Sequence, residues 1–130
     1  MDYMLDTNIC SYIIKGYIKK EMLLGKNIFI SSIVAGELLY GAKKKNSHKL
    51  TKIVNLFLNS FKIIDYDKKA ANEFAKIRVE LEKRGLIIGA YDLQIAAHAK
   101  SLGAVLVTNN EKEFRRIKNL KVENWLNVNY

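Results

Sequence analysis

The sequence of 130 residues contains no proline and only one cysteine, Cys10. A single cysteine forms neither an internal disulfide nor a multi-cysteine zinc site, so both are excluded, and we expect Cys10 to be a small buried residue. No apolar run approaches the roughly 18 residues that cross a bilayer, so we expect no membrane span. The absence of proline, against roughly six expected at average usage, indicates no particular function.

The start of the chain also lacks the pattern of a secretion signal. Such a signal opens with basic residues and continues with an apolar stretch, whereas acidic residues occupy positions 2 and 6 here. Together with the single cysteine, this pattern predicts a cytoplasmic protein.

The sequence does contain enough apolar residues for one core, together with an excess of positive charge. Hydrophobic residues make up 49% of the chain, and its length suits a single domain over residues 1–130. There are 22 lysine and arginine residues against 13 aspartate and glutamate residues, which gives a formal charge of +9. This excess indicates a polyanionic partner but does not identify an activity.

Short apolar segments alternate along the chain with segments of helical spacing. The apolar segments predict strands at 1–5, 28–30, 62–64 and 104–107 and near Val122. The helical spacing predicts helices at 9–14, 33–42, 50–61, 67–84 and 89–100, followed by a charged helix that carries Phe114 and Ile117. This alternation predicts an α/β fold with a mostly parallel sheet of four to five short strands and helices on both faces.

Three carboxylates stand alone in otherwise uncharged segments. Each is the only formally charged residue of its segment: Asp6 in 3–14, Glu37 in 31–42 and Asp92 in 85–99. A lone ionised carboxylate in apolar surroundings costs several kcal/mol unless something neutralises it. No lysine or arginine lies within one helical turn of Glu37 or Asp92 to do so.

The positions of these acids predict a shared site. Each acid follows a strand or lies near the start of the next helix, and the carboxyl ends of parallel strands form the ligand-binding edge of an open sheet. A divalent cation would supply the missing counter-charge, and oxygen ligands favour Mg²⁺ or Mn²⁺. Such an ion activates water and stabilises a phosphoryl oxygen, which suits cleavage of a polyanion held by a basic surface.

Each acid also has a purely structural interpretation, and the pattern alone leaves both open. Asp6 suits the N-cap of the following helix, Glu37 could reach solvent from a helix edge, and Asp92 could cap the helix that starts near Gly89. The competing function is then a non-catalytic, basic nucleic-acid-binding module. Such a module would show neither stabilisation by Mg²⁺ nor cleavage of RNA.

Five segments form a recognisable series along the chain. They are MLDTN at 4–8, ISS at 30–32 with ELLYG at 37–41, YDLQIAAHA at 91–99, LVTNN at 106–110 with EF at 113–114, and VENW at 122–125. In this order they strongly resemble the PIN-domain toxins of the VapC type. The resemblance spans nearly the whole chain.

The resemblance implies a PIN-like three-layer α/β/α fold and a Mg²⁺- or Mn²⁺-dependent ribonuclease that hydrolyses RNA, often tRNA. It also implies the toxin of a type II toxin–antitoxin system, neutralised by a cognate VapB-type antitoxin and homodimeric within that complex. The metal-site acids of the family fall on Asp6, Glu37 and Asp92. In this scheme Asp6 and Asp92 bind the ion, and Glu37 binds or orients the water.

The resemblance leaves the fourth acidic position between two locations. Part of the family carries an aspartate where this chain has Asn109 and Asn110, whereas in other members the acid precedes phenylalanine, which is Glu113 here. Glu113 lies among charged residues, where a solvated helix face is the plain alternative. Four further side chains could hydrogen-bond the metal shell or only cap helices: Thr7, Asn8, Thr108 and Asn110.

Several neighbouring features have simpler interpretations. Tyr40 and Tyr91 adjoin the proposed site and could stack on an unpaired base, but we expect both to pack in the core. Gly36 weakens a helix interior and is expected to allow close packing. The basic runs 43–45 and 115–118 are expected to be solvated faces.

Overall fold

Five short parallel strands form the centre of the computed structural model, which describes residues 1–126. Every neighbouring pair in the sheet is parallel, so the sheet predicted from the uncharged apolar segments is confirmed. The end of the predicted domain, residues 127–130, lies outside the described residues. The strands, which lie in the order β3-β2-β1-β4-β5, are β1 (Asp2–Leu5), β2 (Asn27–Ser31), β3 (Lys62–Ile64), β4 (Val105–Val107) and β5 (Val122–Glu123).

Six α-helices in residues 1–126 connect the strands and cover both faces of the sheet, which gives the expected three-layer α/β/α architecture. The ends of the first five lie within two residues of the predicted bounds. None of them has the length and apolar content needed to cross a bilayer. The helices are α1 (Thr7–Ile14), α2 (Ser32–Lys44), α3 (His48–Asn59), α4 (Lys68–Lys83), α5 (Ala90–Ser101) and α6 (Glu111–Phe114).

Two local features differ from the prediction. A 3-10 helix, Lys20–Leu23, lies between α1 and β2 in a stretch where no apolar spacing predicts it. The charged helix α6 ends at Phe114, so Ile117 lies beyond it, although both side chains are buried. The two apolar positions were therefore identified correctly. The helix, which was expected to include both residues, ends before Ile117.

Short polar side chains define the helix starts next to the sheet. Asp6 accepts a hydrogen bond from the Ile9 N–H at 2.9 Å, and Ser31 accepts one from the Ile33 N–H at 3.1 Å. The predicted cap of α1 is thus confirmed, and Ser31 caps α2 in the same way. Helix α4 stops at Gly85, whose φ of 69° lies in the left-handed region that glycine adopts without strain.

The core is densest around β1 and α5. Met4 and Leu5 of β1 are fully buried, as is Ile95 of α5. Cys10 is also fully buried, as expected, and burial raises the pKa of its thiol. Because the end of β1 and the middle of α5 are buried and apolar, a carboxylate that directly follows β1 lies against a low-dielectric interior.

The strand order places a switch point beside β1. The chain continues from β1 through α1 to β2, whereas β4 pairs with the opposite edge of β1. Leu5 pairs with Val107, and the Asp6 N–H donates to the Val107 carbonyl at 3.0 Å. Asp6 and Thr108 therefore leave two adjacent strands side by side, at the edge where open α/β sheets form their ligand crevice.

Candidate active site

Asp6 is the most deeply buried carboxylate of this edge. Only 3% of the residue is exposed, and its carboxylate accepts hydrogen bonds from the Ile9 N–H and the Thr108 hydroxyl. Burial raises the pKa of Asp6 to about 6; the two hydrogen bonds oppose this rise, and the charges of Asp92 and Glu37 add to it. Asp6 is thus the predicted helix cap, and it is also a carboxylate whose charged form is disfavoured by burial and by two neighbouring acids.

Asp92 lies in the first turn of α5 and faces the same crevice. Burial raises its pKa, and the charges of Glu113 and Glu37 raise it further. The N-cap of α5 is Gly89, which has no side chain to accept a hydrogen bond. The structural interpretation of Asp92 as a helix cap is therefore wrong, and its carboxylate has no capping role to explain its burial.

Glu37 projects from the middle of α2 towards both aspartates. The Thr7 hydroxyl donates a hydrogen bond to Glu37 Oε1 at 2.6 Å and links the first turn of α1 to α2. The Glu37 charge contributes to the raised pKa of Asp6 and to that of Asp92. Glu37 is therefore close enough to both aspartates to influence their charge and is not directed to solvent alone.

Glu113, on the short helix α6, completes a group of four carboxylates. Its charge contributes to the raised pKa of Asp92, so the two carboxylates lie close to each other. The Asn110 side-chain amide donates to Glu113 Oε2 at 3.0 Å. The solvated helix face was the plain alternative for Glu113, but the structure places this side chain, half-buried, with the acidic group.

Three of the four predicted accessory side chains contact this group. Thr7 donates to Glu37, Asn110 donates to Glu113, and Thr108 donates to Asp6 while its own oxygen accepts the Asn110 N–H at 2.9 Å. Asn8 instead lies exposed in the first turn of α1, and within residues 1–126 no hydrogen bond joins it to the four acids.

Asn109 has a contact that the sequence did not predict. Its amide donates to the Tyr12 hydroxyl at 3.2 Å and ties the loop after β4 to α1. Nothing in the local sequence pairs these two residues, because they lie 97 positions apart. The loop that presents Thr108 and Asn110 is thus braced from across the sheet.

Neutral donors hold Asp6, Glu37 and Glu113, and within residues 1–126 none of the four acids has a cationic partner. Every ion pair within residues 1–126 joins a lysine or arginine to some other acid. Neutral donors orient the carboxylates without removing their charge, so the mutual repulsion persists. A site of this kind has a strong electrostatic preference for a cation.

The oxygen ligands of the four acids bear on the divalent ion that the sequence predicts. Within residues 1–126, no three His, Cys, Asp or Glu side chains are grouped as the ligands of one ion. Mg²⁺, however, typically takes only one or two carboxylates and completes its shell with water and substrate phosphate. The charge and the oxygen-only chemistry of the four acids fit such an ion, with Asp6 and Asp92 as the two most desolvated donors.

Two tyrosines beside the acids are exposed, contrary to the expectation that both pack in the core. Tyr40 is 63% exposed and Tyr91 is 62% exposed. The spacing of Tyr40 could have indicated this, because it lies three residues after Glu37 on the same helix face. Gly36 was expected to allow close packing, and this too is wrong: a Cβ placed there meets no heavy atom within 4 Å.

The basic runs lie outside the acidic group. Lys43, Lys44 and Lys45 are exposed at the end of α2, as expected for a solvated face. In the second run, Arg115 pairs with Glu111 at 2.9 Å and Lys118 pairs with Glu80 at 3.5 Å. The second run is therefore largely occupied by neighbouring acids of the same chain.

Comparison with known proteins matches almost the whole chain. A model of the PIN domain matches residues 3–120. Ribonuclease VapC2 of Rickettsia felis is 49% identical over 132 residues, which cover 96% of this chain and 98% of that protein. The tRNA(fMet)-specific endonuclease VapC of Salmonella typhimurium is 40% identical over 130 residues, with 96% and 98% covered.

Solved structures give the same result. VapBC2 from Rickettsia felis, bound to a DNA fragment from the promoter, contains a chain with a TM-score of 0.89 and 46% identity, covering 96% of this chain and 99% of that one. DNA-bound VapBC from Salmonella typhimurium gives a TM-score of 0.87 and 38% identity, covering 96% and 98%. Sequence and fold therefore lead to one and the same group of proteins.

Proposed function

The chain belongs to the VapC ribonucleases of the PIN-domain family, and we propose that its four clustered carboxylates hydrolyse RNA with the help of Mg²⁺ or Mn²⁺. The family makes it a nuclease and the toxin of a toxin–antitoxin pair. The assignment of the site to Asp6, Glu37, Asp92 and Glu113, and the identity of the ion, are the proposal.

One observation carries this assignment above the others. Asp6 is almost fully buried, has a pKa raised to about 6, and is held by neutral donors beside two further acids. A helix cap alone needs one acceptor oxygen, and neither burial of a charge nor neighbouring carboxylates. The arrangement costs the fold free energy until a cation is present, which is typical of a functional site.

The four carboxylates have distinct tasks in the proposed reaction. Asp6 and Asp92 would hold the ion, which would supply an activated water and stabilise charge on the phosphate. Glu37, held by Thr7, would accept a proton from the attacking water. Glu113, held by Asn110, keeps the negative potential high beside Asp92.

We further propose that the substrate is an RNA of the tRNA class and that the site of action is the cytoplasm, where such RNA occurs. The relative from Salmonella typhimurium is described as tRNA(fMet)-specific, and the charge of +9 suits a folded polyanion. The VapBC structures support a VapB-type antitoxin as the partner of this chain. A homodimer within that complex is the assembly we expect.

Cleavage by the purified chain tests the proposal. Total tRNA and a single-stranded RNA are incubated with the chain in Mg²⁺, in EDTA, and in Mg²⁺ with Asp6→Asn or Asp92→Asn. We expect cleavage only by the unaltered chain with Mg²⁺ or Mn²⁺. Cleavage that persists in EDTA, or in Asp92→Asn at the unaltered rate, would contradict the metal assignment.

Growth of cells tests the toxin function separately. Expression of the chain is expected to arrest growth, and co-expression of a VapB-type antitoxin is expected to relieve the arrest. Asp6→Ala is expected to abolish the arrest while the protein still accumulates. A non-catalytic binding module would instead arrest growth equally with and without Asp6.

A further inference from the structure

A cleft of about 660 Å³ opens beside the four carboxylates, on the face of α2 that carries Glu37. Helix α2 forms one wall through a stripe of residues at helical spacing, and the first turn of α5 supplies the other wall. Its lining residues are Ser32, Ile33, Gly36, Glu37, Tyr40 and Tyr91. Because Glu37 belongs to both, the cleft and the acidic group form one continuous surface.

The two tyrosines give this cleft an aromatic rim. Each leaves more than three-fifths of its surface exposed, with 63% for Tyr40 and 62% for Tyr91. Tyr91 is the residue before Asp92, and Tyr40 lies one helical turn beyond Glu37. Two exposed aromatic rings in one cleft are unusual for a folded chain on its own and mark a surface that receives a partner.

Gly36 adds a second, independent observation. Glycine in a helix interior is less stable than alanine, and such a residue usually permits a close approach of another element. No element of residues 1–126 makes that approach, since a Cβ at Gly36 meets no heavy atom within 4 Å. Gly36 therefore contributes no side chain to the cleft that it lines together with the two tyrosines.

We propose that Tyr40 and Tyr91 stack an unpaired nucleobase over the Gly36 face of α2, so that the adjoining scissile phosphate lies at Glu37 and Asp92. The inference rests on the proposed nuclease function and assigns two positioning residues to it. Aromatic rings stack on any base, so this contact selects unpaired over paired RNA and does not select one base.

Charge in the cleft favours RNA as the occupant. The Lys44 ammonium lies 5.8 Å from the centre of the Tyr40 ring, so a cation accompanies one of the two rings and is available to a backbone phosphate. A second copy of this chain is the competing occupant. A symmetric contact through the cleft would desolvate Glu37 of both copies, and within residues 1–126 no lysine or arginine forms an ion pair with Glu37 to offset that cost.

The test uses a short single-stranded RNA with 2-aminopurine beside the cleavage position that the unaltered chain selects. Stacking quenches this fluorophore, so binding in EDTA reports the contact without any cleavage. We compare the unaltered chain with Ala and Phe variants at Tyr40 and Tyr91. A further variant, Gly36→Leu, places a side chain in the cleft. Leu56→Ala is the control, because Leu56 is equally exposed at 61% on α3, outside the cleft.

We expect quenching by the unaltered chain and by both Phe variants, and a loss of RNA affinity of roughly tenfold for each Ala variant. In Mg²⁺ the Ala variants should show a raised KM for single-stranded RNA and an unchanged melting temperature. Gly36→Leu should lose quenching as well, whereas Gly36→Ala, which relieves the helix, should raise the melting temperature.

Two results would overturn the inference. The first is RNA affinity and quenching in Tyr40→Ala, Tyr91→Ala and Gly36→Leu equal to those of Leu56→Ala. The second is a change of oligomeric state in the Ala variants by light scattering without any loss of quenching, which assigns the cleft to contacts between copies. Absence of RNA cleavage by the unaltered chain would instead refute the proposed function itself.

Discussion

The acids at the switch point and the acids along α4 are the same chemical groups in opposite surroundings. Glu80 of α4 is slightly desolvated, but Arg84 at 3.2 Å and Lys118 at 3.5 Å outweigh that effect and lower its pKa. Within residues 1–126 Asp6 forms no ion pair with a lysine or arginine, and burial raises its pKa to about 6. Lysines and arginines thus neutralise one region and are kept out of the other.

This difference shows that the basic residues behind the net charge of +9 are unevenly placed around the acids. The glutamates of α4 have basic partners within the chain: Arg78 of α4 itself, Arg84 just beyond its end, and Lys100 of α5. At the switch point the fold spends stability on unneutralised carboxylates, which a protein retains for a function and not for its own fold. We therefore expect a substitution or a change of pH to affect stability in opposite directions at the two kinds of acid.

Removing a carboxylate from each region gives the largest expected contrast. Asp92→Asn should reduce RNA cleavage in Mg²⁺ by on the order of 10²-fold or more, because a neutral amide is a poor ligand for a hard cation. The same variant should leave the metal-free melting temperature unchanged or raised, since it relieves repulsion from Glu113 and Glu37. Initial cleavage rates and thermal melts in EDTA measure both effects.

Glu73→Gln is the matched control from the other region. The Glu73 carboxylate is 24% exposed and pairs with Lys76 at 3.8 Å and Lys100 at 3.9 Å. We expect it to keep full cleavage and to melt slightly earlier. If both variants lowered activity equally, the distinction between the two regions would not concern catalysis.

The pH dependence of stability is expected to have opposite signs for the buried Asp6 and for an acid that is paired with an arginine. The pKa of Asp6 is raised from 3.8 to about 6, so the folded state binds its proton more tightly than the unfolded state does. Metal-free stability should therefore increase as pH falls from 6 towards 4, by on the order of 3 kcal/mol from this group. Denaturant melts of the unaltered chain and of Asp6→Asn in EDTA measure it.

Glu111 provides the opposite case for the same experiment. Hydrogen bonds from Arg115 and Asn124 lower its pKa below 4.5, so its contribution to stability is present above that pH and is lost as pH falls through the lowered pKa. Glu111→Gln should remove part of the acid-induced loss of stability, whereas Asp6→Asn should remove the gain. Equal pH profiles for the two variants would disprove the opposite shifts.

The local features of the site were predictable from sequence. The predicted cap at Asp6, the end of the strand before it and the lone charge at Asp92 each depend on residues within one or two turns. The resemblance in five segments predicted the fold and the family, and both are confirmed. The role of the four acids as metal ligands stays a prediction.

What failed depends on contacts between distant segments. Tyr40 and Tyr91 were expected in the core, yet the elements packed around them within residues 1–126 leave both rings exposed. The position of Glu113 depends on where the loop after β4 is braced by the contact between Asn109 and Tyr12, 97 residues apart. Periodicity contains no information on such distances.

Removing a neutral donor from the acidic group is expected to have an intermediate effect. Thr108→Val keeps the shape of the side chain but deletes the hydrogen bond that lowers the pKa of Asp6. The pKa of Asp6 should rise further, Mg²⁺ affinity should fall about tenfold, and the pH profile of cleavage should move to higher pH. Thr51→Val, which removes a 2.9 Å bond to the Ser47 carbonyl on α3, should change neither.

Deleting a neutralised acid is expected to have the smallest effect, and it defines the limit of the comparison. Glu80→Gln leaves Arg84 with its bond of 2.8 Å to the Arg116 carbonyl but removes both ion pairs of Glu80. The melting temperature should fall slightly at low salt, and the difference should vanish near 1 M salt, where screening acts over about 3 Å. Cleavage should stay within about twofold of the unaltered chain.

The stability difference between Asp6→Asn and the unaltered chain should persist at the same salt concentration, because buried charges are screened much less. If salt removed both differences alike, Asp6 would be as accessible to solvent as Glu80, and the argument for an unneutralised, buried site would fail.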